Sequence, residues 1–365
     1  MYYDIVFNNM NMNDTKKAIK IENDLNKRVV LIVELIKRKY RDYVETFGIT
    51  GSMARGEGTI KFYGTNIVGS DIDFGIVTKY ISPLKEKEIK RGISKIFSGS
   101  KIEPGYIFFS PTILKKPDLM FYEFVNSGRV LYGNLNFAYK ADKIPLWEAV
   151  RLMTLRAGGP FLKEFEIYRG DVKTSKKFGY ALSRAILGCG EALLIAERKY
   201  RPSMKEREKQ IRKNMLAKKI PRFYVYYEDA MNYRRGLDSF GKDSKRNVRE
   251  ASIIILDTWK AILDKMFRGE YKKNKAALKR ISAPFPTILT TRIFYAIKCL
   301  KKGKIKIPIS EPFGKECITI IDFLESFILK DMAKAEQSRR EAVELWEASE
   351  LFWVPDRNCK ITRCD

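Results

Sequence analysis

Asp71 and Asp73 flank one isoleucine at the head of an apolar run, Phe74–Val77. Residues two apart on a strand project to the same face, so both carboxylates point together. Like charges that close repel, and each raises the other's pKa unless a cation lies between them. The pair is read either as an exposed turn or as two carboxylates sharing a metal ion. Upstream, Gly51 and Ser52 follow a strand-like stretch, Val44–Thr50, and "SMARGEG" can open the next helix. A helix start there offers backbone N–H groups, the Ser52 hydroxyl and Arg55 to a phosphate. A nucleoside triphosphate needs a divalent cation beside its phosphate cradle, and carboxylates on a neighbouring strand are a natural holder.

Composition narrows the chemistry. The 365 residues include no histidine, which removes Ser–His and Cys–His nucleophiles, histidine-ligated zinc and histidine as general base. Catalysis must then run on carboxylates, Lys, Arg, Tyr, Ser or a metal. The net charge is +26; residues 1–140 carry 22 Lys and Arg against 15 Asp and Glu, so +19 belongs to residues 141–365. A field of that size attracts polyanions and repels cationic small molecules. The five cysteines, Cys189, Cys299, Cys317, Cys359 and Cys364, are odd in number and scattered. They suit a reducing, cytoplasmic setting better than a disulfide framework. The opening "MYYDIVFNNMNMND" lacks the features of a secretory signal, and no apolar run reads as long enough to span a bilayer; no membrane partner is expected.

These residues need elements to hold them. Apolar spacing predicts a helix over residues 13–43, strands at Val44–Thr50 and Phe74–Thr78, and a helix at Ser82–Phe97. A strand broken by Pro104 and Gly105 is expected over Ile102–Ser110, a helix at Asp118–Asn126 and a small extended element in "GRVLYG". From Pro145 onward the pattern turns helical, at Leu146–Arg156, Lys176–Lys199, Arg222–Arg235, Asn247–Phe267, Ile288–Leu300, Lys315–Leu329 and Asp331–Phe352. The expected fold class is α+β: a small mixed-sheet domain over residues 1–140, a basic helical bundle over 141–330, and a C-terminal helix and tail over 331–365.

Gly51-Ser52, Ala54-Arg55-Gly56 and Ser70-Asp71-Ile72-Asp73 resemble the signature of the DNA polymerase beta-like nucleotidyltransferase superfamily, and "GRVLYG" resembles the segment closing many of its small catalytic domains. The resemblance covers residues 44–133. It implies two-metal transfer of a nucleoside monophosphate from a nucleoside triphosphate, with ATP as the expected donor. Asp71 and Asp73 would hold Mg2+ or Mn2+, and Gly51, Ser52 and Arg55 would hold the β- and γ-phosphates. This chemistry needs no histidine. The third carboxylate is read as Glu103, at the start of the Ile102–Ser110 strand; Asp118 is the alternative, with helix capping as its plainer reading, and if neither reaches the metals the usual base or second-metal ligand is absent. Eighteen residues separate Ser52 from Asp71, longer than the usual loop, so "EGTIKFYGTN" reads as an insertion over the nucleotide or as a surface loop.

In the helical half, Lys176, Lys177, Tyr180 and Arg184 are read as triphosphate contacts or as a solvated face. "PRFYVYYEDAMNYRRG" interleaves aromatics with cations, as single-stranded nucleic acid or a helix core would each require. Lys272, Lys273, Lys275, Lys279, Arg280 and the Lys298–Lys306 cluster are phosphate-contact candidates. The leading acceptor is the 3′ end of an RNA. The alternatives are adenylyl transfer to a protein or small molecule, and an inactive module that binds nucleotide or nucleic acid.

Overall fold

Leu25, Val29, Ile32 and Ile36 recur at helical spacing, and all four are fully buried in the computed structural model. That model describes residues 12–353, except 59, 64–65, 70, 80, 101, 110–117, 138, 169–170, 176, 236–243, 269, 272, 274 and 276–312. The chain forms two compact units. The first runs to Ile144 and takes in Arg201–Met204; the second comprises Pro145–Tyr200 and Lys205–Val354.

The first unit is built on a four-stranded mixed sheet. Helix α1 (Met12–Leu35) passes through a π turn (Ile36–Tyr40) into strand β1 (Val44–Thr50), and a one-turn helix α2 (Gly51–Ala54) follows directly. Next come a hairpin, β2 (Ile60–Tyr63) and β3 (Asn66–Gly69), then β4 (Ile72–Thr78) and α3 (Pro83–Ile96). Strand β5 (Pro104–Phe109), helix α4 (Leu119–Ser127) and β6 (Arg129–Tyr132) complete it. The sheet order is β5-β4-β1-β6. Strand β1 pairs antiparallel with β4 and β6, and β4 pairs parallel with β5. Pro104 and Gly105 therefore begin β5 instead of breaking it, as the first position of an edge strand allows.

The two faces of β4 have different jobs. Ile72, Phe74 and Ile76 enter a core with α1 and α3, where Phe47 and Phe74 stack with ring centroids 5.1 Å apart. The opposite face carries Asp73, Gly75 and Val77, and Val77 packs with Ile107, Phe109, Phe121 and Phe124. Phe124 of α4 lies so close over Gly48 and Gly75 that a side chain at either would collide with its ring. Helix α4 is thereby seated on the same face as Asp73.

The second unit is mainly helical. It contains α5 (Trp147–Leu152), a π turn (Met153–Gly158) and α6 (Gly159–Lys163), then α7 (Phe178–Ala196), α8 (Met204–Ile211, whose first residue belongs to the first unit), α9 (Met215–Lys218), α10 (Phe223–Arg234) and α11 (Ser244–Phe267). Helices α12 (Phe313–Ile328) and α13 (Met332–Trp353) pack closely together. A two-stranded hairpin, β7 (Phe165–Tyr168) and β8 (Asp171–Thr174), interrupts the helices; the sequence reading expects no strand there. Helix α7 is long and apolar enough to cross a membrane by length and composition, contrary to the sequence reading, but most of it is buried inside the unit. The expected helix at Ile288–Leu300 lies outside the described residues.

Candidate functional site

The site is assembled where β1 ends and β4 and β5 begin. Thr50 pairs with Asp73 across the antiparallel ladder, so the turn into α2 starts beside that carboxylate. Gly51 has φ +71°, a left-handed conformation that glycine adopts without Cβ strain. A Cβ at Gly51 would also sit 2.7 Å from Asp73 Oδ2. On the other side Asp73 pairs with Gly105 of the parallel strand, where a Cβ would overlap Asp73 Oδ1. The carboxylate thus occupies space that two glycines leave, and its Oδ1 is shut off from solvent.

Asp71 is exposed and lies one residue before β4, two before Asp73; strand geometry continued to it would put it on the side of Asp73. The backbone N–H of Ile72 donates to the Glu103 carbonyl at 3.2 Å. Continued one step back, the β4–β5 register sets exposed Glu103 beside Asp71. Among the described residues, no three Asp, Glu or Cys side chains are gathered as a ready-made metal-ligand set. Asp118 caps α4, accepting the Phe121 N–H at 2.7 Å, so its capping reading is the one the structure carries.

The turn after Gly51 is braced from within. The Glu57 N–H donates to the Ser52 carbonyl at 2.8 Å. The Arg55 guanidinium contacts Glu57 at 2.7 Å and Glu123 of α4 at 3.6 Å, and only 10% of its side chain is exposed. Glu57 also accepts the Met204 N–H at 2.6 Å. Arg55, expected as a phosphate ligand, pairs with two carboxylates that tie the turn to α4. Ser52 is half-buried at the start of α2. The "EGTIKFYGTN" insertion contributes the β2–β3 hairpin, with Ile60 paired to Gly69 and Tyr63 to Asn66.

Several candidates in the helical half behave differently from expectation. Lys275, expected as a phosphate contact, pairs with Asp322 at 2.7 Å and Glu325 at 2.6 Å inside its unit. Burial opposes its charge, yet these two hydrogen-bonded carboxylates outweigh burial and raise its pKa. Lys273 is well exposed, 3.8 Å from Glu270. Tyr180 is 46% exposed, with the Arg184 guanidinium 5.5 Å from its ring centre. Lys176, Lys272, Lys279, Arg280 and the Lys298–Lys306 cluster lie outside the described residues. In α10, Phe223, Tyr226 and Tyr227 are buried, and Phe223 stacks on Tyr227 at 5.7 Å, so these rings serve the core.

Sequence reasoning misses Gly105, Glu57 and Glu123. The two glutamates have no local signature, because their role appears only when α4 closes over the turn. Gly105 carries a signal, a glycine inside a strand, which marks a close approach as readily as a break. Comparison of the chain with protein-family models, with curated proteins and with solved structures gives no match in any of the three.

Proposed function

We propose that the first unit is the catalytic domain of a metal-dependent nucleotidyltransferase of the DNA polymerase beta-like type. It would move a nucleoside monophosphate from a nucleoside triphosphate, ATP as the expected donor, to a hydroxyl of an RNA acceptor. The observation that carries the reading is the seat of Asp73, between the left-handed Gly51 turn and Gly105, with exposed Asp71 two residues before it. Hard oxygen donors of this kind suit Mg2+ or Mn2+, and Asp71, Asp73 and Glu103 are the residues that would hold them. Bound divalent ions supply charge stabilisation for the entering and leaving oxygens of a phosphoryl transfer. The backbone of Gly51 and the Ser52 hydroxyl orient the triphosphate, while Arg55, Glu57 and Glu123 keep the turn in register with α4. RNA is favoured as acceptor because +19 of the +26 net charge lies after residue 140. A cationic small molecule would be repelled.

A second reading, a module that binds nucleotide without turning it over, is favoured by one observation: the residue facing Asp73 on β5 is glycine, not a carboxylate. Two measurements separate the readings. Calorimetry with each NTP, with and without Mg2+, reports metal-dependent binding. Incubation with labelled NTPs, Mg2+ and total RNA, followed by sizing of the labelled product, reports transfer. Binding and RNA labelling together support the enzyme; binding alone supports the module; neither removes both.

A further inference from the structure

Residues 205–219 carry seven Lys and Arg against two Glu, and two of the seven cations are already matched. Arg207 is buried, donating to the Tyr200 hydroxyl at 2.6 Å and pairing with Glu191 of α7 at 3.2 Å. Arg212 pairs with Glu208 at 3.4 Å. The other five, Lys205, Lys209, Lys213, Lys218 and Lys219, are exposed. Their ammonium groups make no hydrogen bond or ion pair among the described residues. Lys205 and Lys209 lie four apart on α8. The Arg212 N–H donates to the Glu208 carbonyl at 3.4 Å and the Lys213 N–H to the Gln210 carbonyl at 3.0 Å, so the coil runs on and Lys213 extends the same stripe. At a rise of 1.5 Å per residue, these three charges stand about 6 Å apart over about 12 Å. Lys218 and Lys219 follow at the end of α9. Glu206 offsets a single charge of the run.

The fold does not use these lysines. Buried Asn214 donates to the Leu193 carbonyl of α7 at 3.2 Å and caps α9 by accepting the Ala217 N–H at 2.8 Å. Glu197 accepts the Met215 and Leu216 N–H groups at 2.8 and 3.0 Å, and the Tyr224 hydroxyl donates to the Ile211 carbonyl at 3.2 Å. Those bonds seat α8 and α9, and five like charges on one short stretch are left to repel one another. A polyanion relieves that repulsion. Lysine is depleted at protein–protein interfaces. A membrane-surface helix turns an apolar face outward beside its cations, whereas Ile211 of α8 is buried in the core. A basic stripe along a helix is instead the footprint of a nucleic-acid backbone. We propose that α8 and α9 form a docking surface for the phosphodiester backbone of single-stranded RNA, recognised by charge and not by sequence. The surface rests on the reading of an RNA acceptor, but not on the metal reading of Asp71 and Asp73.

The test is binding of a labelled single-stranded oligouridine to the full chain, followed by fluorescence anisotropy in EDTA, without NTP, at several salt concentrations. Five lysine–phosphate contacts at about 0.7 each give a slope of log affinity on log salt near −3.5. Combining Lys205→Gln, Lys209→Gln and Lys213→Gln should flatten it to about −1.4 and weaken binding at least ~10-fold at about 50 mM salt. Combining Lys87→Gln, Arg91→Gln and Lys95→Gln removes equal charge at equal spacing from exposed positions of α3, and should keep the wild-type slope. Should the first triple variant fold poorly, Lys209→Gln alone is expected to flatten the slope by about 0.7. RNA binding with the same slope in wild type and the α8 variants would overturn the surface while leaving the RNA acceptor standing. Equal flattening by the two triple variants would overturn it in favour of overall charge. Absence of RNA binding would remove the RNA reading together with the surface, and capture by phosphatidylserine vesicles instead would assign these cations to an anionic membrane.

Discussion

A single methyl group at Gly105 would reach the carboxylate of Asp73. Gly105→Ala should therefore displace that carboxylate and lower nucleotidyl transfer by ~10–100-fold, since misplacements of about 1 Å are that costly to catalysis. NTP affinity should change far less, because the Gly51–Ser52 turn is untouched; transfer kinetics and calorimetry on one preparation would check both. Unchanged turnover would mean that Asp73 need not sit where it does. At this scale the sequence is legible where spacing suffices. Two aspartates separated by one residue announce a shared face, and Gly51 after a strand announces a turn. Gly105 is hidden because its importance depends on the β4–β5 register, a pairing of residues 32 positions apart. The partners of Arg55 are hidden for a related reason: the sequence shows its cation, but not Glu123 arriving from α4 beside it.

Elements are read well where one face is apolar. Helix α3 lies within its expected range, with the Ser82 hydroxyl capping it by accepting from the Lys85 N–H, and β1 has the expected limits. The β7–β8 hairpin escapes because its strands are short and it is held by a side chain distant in sequence. Glu336 of α13 accepts the Ile167 N–H at 3.3 Å while pairing with Arg339 and Arg340. Burial opposes its ionisation, but the two arginines outweigh burial and hold the Glu336 carboxyl below its ordinary value of 4.5. A depressed carboxyl contributes stability that is complete above the unfolded pKa and fades as pH falls through the folded one. Glu336→Gln should lower Tm at pH 7, and the gap to wild type should close progressively below pH 4.5. Thermal scans across that range decide it; a gap independent of pH would mean that the carboxylate charge contributes nothing.

For the whole molecule, charge is the dominant property, and composition alone shows it. What composition conceals is which cations are already matched. Lys275→Met should leave Asp322 and Glu325 as neighbouring like charges and lower Tm, while the salt dependence of RNA binding stays as in wild type. If about five phosphates of single-stranded RNA are contacted, log affinity should fall against log salt with a slope near −3.5. A titration at several salt concentrations would check both statements, and a slope flattened by Lys275→Met would restore that lysine as a phosphate contact. The central claim, that Asp71 and Asp73 serve nucleotidyl transfer, is tested most directly by incubating wild type and Asp73→Asn with labelled ATP, Mg2+ and RNA and measuring the label in RNA. Wild type should label RNA, and Asp73→Asn should do so at least ~100-fold more slowly with its Tm retained. Equal labelling by the two proteins, or none by wild type with any of the four NTPs, would contradict it.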